Sequence, residues 1–588
     1  MAHAAALGTP GGHGDASGGY GDASGDHGDP RGDHGVVPRD HGVHEVQTLT
    51  CNVYNMTRCP DRLDQCVGLK KLVFEDCNVL EQLPDQACTT LTELCVRDAK
   101  ALTCLPEWLG TVPSLTALRL HMVPGMLRIP FSLLGNLRRV TFVPISACSD
   151  DWLSRLDNVH TLHINNVHHV HFTAPTLCKR LTLQCSDAVT SIQQHCIFPP
   201  QCQLQHLNIF CLSSVASIST AMMSCRHLTS LSLSHCGGPD LPDELVELPV
   251  LRELFLAHCS ITRVPERIGD LGSLGRLRIT CCPITSLPES MGALVALRVL
   301  SLEMCNNLHT VPTSMAQLPR LKDVTLGDLP ALQTFPDLSQ SLCTLHIREH
   351  TALHDAAWLR KPFLTHLELL ECPLPLWLSA QTTLQCLELH GNDGCDLRII
   401  QHFPHLQTLH ISDQHHVYAL PAELAMLPAL TTLYVMDMPN LRDMTAIAHL
   451  HALKSLRLSF SRSCSAVLPD AIGLLPALQS LELFGFGLAV LPVMPNIAQL
   501  SELTVSCRVP RLPAVVARVP KLRIYCVAGQ HACRNIDLVC MTYRMYQVML
   551  IMVLARRRTG QGLPAELMAV LADSLIPDGM VAMPCGCE

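Results

Sequence analysis

In the second half of the chain, seven side chains able to do chemistry recur about every 20 to 25 residues: His346, Glu368, Glu388, His410, Tyr434, Arg457 and Glu482. Each is the middle residue of an apolar-x-apolar triplet. Alternation along an extended strand puts it on the face opposite the apolar pair. His390 and Arg348 lie two residues beyond Glu388 and His346, so they fall on that same face. If successive strands pair at about 4.8 Å, Glu368 and Glu388 become neighbours. Imidazoles beside carboxylates could hold a divalent metal or act as acid and base. The alternative is a solvated polar surface that recognises a partner. Earlier in the chain the same column is milder: His163, Thr182, Asn208, Ser232, Phe255, Arg278, Ser301, Thr325. A binding face is therefore expected from about 346 to 457.

Cysteine is the other chemically capable residue, with 30 in 588. That is about 5%, below the ~8–10% of a short disulfide scaffold. Six of these cysteines, Cys77, Cys236, Cys259, Cys282, Cys305 and Cys372, stand at one position of a recurring pattern, and Asn392 takes that place in another copy. Cys281-Cys282 is such a position beside a neighbour, not a redox pair. Cys585-Gly-Cys587 is too tight for zinc-ligand spacing, and Cys202, Cys211 and Cys225 have none. No phosphate-binding loop, nucleophile elbow, zincin helix or kinase signature occurs. No catalytic residue, cofactor or resident metal is assigned.

What positions these residues is a repeat. Leu228-Thr-Ser-Leu231-Ser-Leu233 returns as Leu251, Leu254, Leu256, then Leu274, Leu277, Ile279, then Leu297, Leu300, Leu302. The core can be followed from Leu69 to Val519 in about 21 copies, about 22.5 residues apart. Between about 137 and 228 the spacing wanders. The spacers carry their own apolar residues, as in Leu287-Pro-Glu-Ser-Met291-Gly-Ala-Leu294. Pro and Gly recur there, so turns and short helical pieces are expected rather than long helices.

These residues resemble the leucine-rich repeat family, whose core is L-x-x-L-x-L-x-x-N/C-x-L. The Leu-Pro spacers of 228–336 and 420–492 are similar to those of plant intracellular Ras-group-related and disease-resistance leucine-rich repeat proteins. The resemblance implies an α/β solenoid, a horseshoe with a parallel sheet on its concave face. It also implies that the ninth residue, the six cysteines and Asn392, points inward and bonds backbone groups of the turn. About 21 strands would give an inner arc of about 100 Å.

Residues 1–45 are built from Gly, Asp, His and Ser in a seven-residue repeat without an apolar seam. They are expected to be a disordered tail in which His27, His34 and His41 offer at most weak metal contacts. Arg31-Gly32-Asp33 is read as a chance match to an integrin-binding tripeptide, and Asn55-Met56-Thr57 as one to a glycosylation acceptor. Residues 46–68 are expected to cap the first repeat, 69–526 to form the solenoid, and 527–588 to form a helical cap. Leu538–Ala555 contains Arg544 and Gln547 and is too short in its apolar part for a membrane span. Leu563-Pro-Ala-Glu-Leu567 with its apolar stripe weakly resembles the opening of an F-box or a SOCS box. That implies a possible docking segment, 535–577, for cullin ubiquitin-ligase subunits.

The first 30 residues show no basic start followed by an apolar run. A cytoplasmic setting with reduced thiols is therefore expected. A net charge of −9 argues against nucleic acid as the partner of the whole chain. The function expected is non-catalytic protein recognition on the concave face. The alternatives are a ubiquitin-ligase substrate receptor and a metal or hydrolytic site in the His/Glu column.

Overall fold

The computed structural model describes residues 47–525 with interruptions, the longest being 58–67, 461–469, 486–498 and 507–518. The tail of 1–45, the His27/His34/His41 set, Arg31-Gly32-Asp33 and most of the Asn55-Met56-Thr57 acceptor lie outside the described residues. So do Leu538–Ala555 and the docking segment 535–577.

Each of the 21 copies forms one short strand, and all of these strands pair in a single parallel sheet. An additional strand, Thr48–Asn52, precedes them and pairs with Lys71–Glu75, making 22 in this sheet among the described residues. Parallel pairing buries the leucine pair of each strand against its neighbours, because no single repeat has enough apolar surface to do so alone. Leucines meet leucines without a break in register: Leu207, Leu231, Leu254, Leu277 and Leu300 stand in one line. The line continues through Val324, Leu345, Leu367, Leu387, Leu409 and Leu433. All of them are essentially inaccessible to solvent.

The spacers are single 3₁₀ turns such as Asp243–Glu247, Glu289–Ala293, Thr313–Gln317 and Ala422–Met426. Pro242, Pro288, Pro312 and Pro421 stand just before them, with φ between −63° and −74°. Proline's fixed φ suits that position, and its missing N–H costs nothing there. Leu245, Met291, Met315 and Leu424 point from these turns into the core. The one α-helical segment among the described residues is Phe131–Leu134. Where the repeat spacing wanders, the additional residues form a second, two-stranded sheet, Phe172–Thr173 with Cys196–Ile197.

Strand ends follow a rule that the amino-acid pattern did not reveal. The residue just after most of these strands has a positive φ, as at His235 (54°), His258 (53°), Cys281 (52°), Met304 (52°) and Glu371 (50°). Left-handed backbone costs an L-residue roughly 1–2 kcal/mol. It is offset because the same residue donates its N–H to the next strand: His235 to Ala257 O and His258 to Thr280 O, both at 2.9 Å. The turn also aims the following residue inward, and in these five cases that residue is Cys236, Cys259, Cys282, Cys305 or Cys372, all buried.

Candidate functional site: the polar column of the sheet

The outward column forms as alternation requires. Thr325, His346, Glu368, Glu388, His410, Tyr434, Arg457 and Glu482 are direct partners across eight consecutive strands. Side-chain conformation divides it into three groups.

The first group centres on Glu368, on strand His366–Leu370. Its Oε2 lies 2.6 Å from His346 Nδ1, and its Oε1 lies 3.6 Å from Arg348 Nη2. Arg348 also reaches Glu303 at 3.7 Å, and His346 Nε2 lies 3.7 Å from Asp323. The short bond to Glu368 raises the His346 pKa above its ordinary value. The same bond lowers that of Glu368.

The second group is Glu388 and His390 on strand Cys386–His390, with His410 on strand Thr408–Ser412. Glu388 Oε2 lies 3.5 Å from His390 Nε2 and 3.4 Å from His410 Nδ1. These contacts, the one with His390 first, hold the Glu388 carboxyl well below the usual carboxylate range. His390 Nδ1 lies 2.8 Å from Ser412 Oγ, which donates to Asp413 Oδ2 at 2.9 Å. The His410 ring meets His390 edge-on at 4.5 Å and Tyr434 edge-on at 5.7 Å.

In the third group, the Arg457 guanidinium lies between the Tyr434 and Phe484 rings, 5.4 and 5.6 Å from their centroids. Its Nε donates to Glu482 Oε2 at 2.8 Å. Stacking and a carboxylate partner together hold a long side chain in one conformation. Glu368 and Glu388 are neighbours as expected, but they turn apart, one towards His346 and the other towards His410. This turning separates two like charges. Ser412, Asp413, Glu303, Asp323 and Phe484 escaped the sequence reading. Ser412 stands on the same face two residues after His410, so extending the column by one step would have found it.

On the buried side, thiols bond carbonyls. Cys77 donates to Glu75 O at 3.2 Å, and Cys236, Cys259, Cys282 and Cys305 each donate to the carbonyl two residues back at 3.4 Å. Cys259 and Cys305 also reach across to Leu233 O and Ile279 O. Burial pushes the Cys305 and Cys372 thiols up to about 11, so they remain protonated donors. Asn392 Nδ2 donates to Cys372 O at 2.8 Å, and Gln414 extends the line by donating to Asn392 Oδ1 at 3.4 Å. Gln381, also buried, accepts from Phe363 and Leu364 N–H and donates to Lys361 O at 2.7 Å. No spacing signal marked it.

Residues 221–424 match a family model described as a leucine-rich repeat region. No curated protein matches the chain in sequence. Among solved structures, the chain is similar to a leucine-rich repeat protein of Leptospira interrogans, at 20% identity over 75% of this chain and 91% of that one, with a TM-score of 0.36. It is similar to an internalin of Listeria monocytogenes, at 17% identity over 54% and 85%, with a TM-score of 0.34. It is also similar to TLR13 in its ssRNA13 complex, at 17% identity over 84% and 80%, with a TM-score of 0.48. Among the described residues no helix is long and apolar enough to cross a membrane.

Proposed function

We propose that this leucine-rich repeat solenoid is a non-catalytic scaffold that binds a protein partner on the open face of its sheet, from His346 to Arg457. The observation that carries the reading is the column itself. Charged, imidazole and aromatic side chains stand in direct register there and are held in place by one another. A preordered polar and aromatic surface loses little side-chain freedom on binding, and Tyr and Arg are the residues that anchor interfaces. Both signs of charge occur along this face, with Arg348 beside Glu368 and Arg457 beside Glu482, which suits a partner surface of mixed charge rather than a polyanion. Nucleic acid is therefore not the partner proposed. No catalytic activity is assigned, and a cytoplasmic location remains part of this proposal.

The test is affinity capture with the full chain, followed by identification of the bound proteins. Glu368→Lys and Arg457→Glu each reverse a charge on the open face without touching the leucine core. Proteins retained by the wild-type chain and lost with both variants support the reading. An unchanged set of proteins moves the recognition surface elsewhere.

A further inference from the structure

Glu388, His390 and His410 differ from the neighbouring His346–Glu368 pair in one geometric respect. The His346–Glu368 contact is 2.6 Å, a closed hydrogen bond with the proton between the two atoms. Glu388 Oε2 instead faces two imidazole nitrogens at 3.5 and 3.4 Å. Both separations exceed the ordinary range of a good N–H···O bond, whose upper end is about 3.2 Å. They match another distance. With ligand bonds of roughly 2.0–2.1 Å, two donors of a tetrahedral zinc ion stand about 3.3–3.4 Å apart. The three donor atoms lie within 4.8 Å of one another.

The surroundings of His390 favour its ligand form. Ser412 Oγ donates its proton to Asp413 and so accepts from His390 Nδ1–H, which leaves the His390 Nε2 lone pair facing Glu388. A metal-binding imidazole takes just this kind of partner on its far nitrogen, which fixes its tautomer and ring plane. The far nitrogen of His410, Nε2, is buried and has no hydrogen-bond partner, so this imidazole lacks the orienting bond that His390 has. Two strands of a sheet fix the three Cα positions, and all three side chains are partly open to solvent.

We infer that Glu388, His390 and His410 form a site for a borderline divalent transition metal, Zn²⁺ first, on the open face of the sheet. Two imidazoles and one carboxylate, with no sulfur, select Zn²⁺, Co²⁺ or Ni²⁺ over Ca²⁺ or Mg²⁺, which prefer all-oxygen shells. Three protein ligands leave the remaining position to water or to a donor brought by a partner. The site stands whether or not this face recognises a protein, because metal binding is read directly.

The experiment uses the full chain, stripped with chelator and dialysed against Zn²⁺ or Co²⁺. Metal content and the visible d–d spectrum of bound Co²⁺ are read against Glu388→Gln and His410→Ala. The comparison with variants removes the contribution of the many other histidines, including His27, His34 and His41. The expected result is about one equivalent more metal on the wild-type chain than on either variant, with the tetrahedral Co²⁺ bands lost in both. His346→Ala should retain that equivalent. Ser412→Ala keeps every ligand and should weaken binding about 10-fold. Equal metal content in wild type, Glu388→Gln and His410→Ala overturns the site, as does Ca²⁺ competing on equal terms. Circular dichroism of each variant separates loss of metal from loss of fold.

Discussion

Strands Ser230–Ser234, Glu253–Ala257, Arg276–Thr280 and Val299–Glu303 have the same length and register as strands Thr344–Arg348 to Thr432–Met436. Both regions bury the same apolar pair in every strand. They differ outside and in the ladder beneath. The first region sets Ser232, Phe255, Arg278 and Ser301 on its outward face, Ser301 itself being buried, over a buried line of thiols. The second shows His346, Glu368, Glu388, His410 and Tyr434, over Cys372, Asn392 and Gln414. Inward positions are constrained by packing against two neighbours, so they repeat. Outward positions are constrained only by one another, so they can diverge while the sheet stays the same. Within this molecule, fold and recognition chemistry are written on alternate residues of one strand.

Three outcomes would sharpen or break that separation. The largest concerns the core. Leu277→Ala and Leu409→Ala, one from each region, should each cost about 2–5 kcal/mol. Arg278→Ala and His410→Ala beside them should cost under about 1 kcal/mol. Urea unfolding of the four variants decides it. A mild Leu409→Ala would mean that the two regions do not share one kind of core.

The next effect belongs to the ladder. Asn392→Ala removes a buried 2.8 Å bond to Cys372 O and should cost about 1–3 kcal/mol. Cys305→Ala loses longer thiol contacts of 3.4 and 3.6 Å and should cost about 1 kcal/mol. Thermal melts that rank the two in the opposite order would show that carbonyl bonding is not what the ninth position supplies.

The smallest effect is electrostatic. His346 has a raised pKa in the folded chain, so its contribution is complete below its ordinary value of 6.5 and is lost as pH rises through the folded value. Glu368 has a lowered pKa, so its contribution is present above 4.5 and is lost as pH falls through the folded value. Both act together between those two ordinary values. His346→Gln should therefore lower stability in that window, by under about 1 kcal/mol, and change little well above it. An NMR titration of the His346 ring that shows no upward shift would remove the pair from the account.

The repeat, the strand register and the division into inward and outward columns could be read from residue order, because alternation and leucine spacing are local and recur about twenty times. The six cysteines and Asn392 could be placed at one repeat position for the same reason, and their inward role was what the family resemblance implied. The strand Thr48–Asn52 escaped because Cys51 stands where the other cores carry Leu, Ile, Val or Phe. The positive-φ turn escaped because His, Cys, Met, Asp and Glu fill it where glycine would have marked it, as Gly391 does once at 60°. Gln381 lies in a spacer, where no alternation rule applies.

The column was legible as a set of neighbours but not as three groups. Glu368 and Glu388 hold equivalent places in consecutive repeats, and nothing in their spacing distinguishes them. Their roles diverge through rotamer choice, which depends on residues about 20 positions away. Glu368 closes on His346, whereas Glu388 sits between two imidazoles, one of them oriented by Ser412 and Asp413. Local periodicity places a side chain on a face. Only the packed sheet decides which neighbour it turns to, because that choice is a competition among contacts that exist only once the strands are side by side.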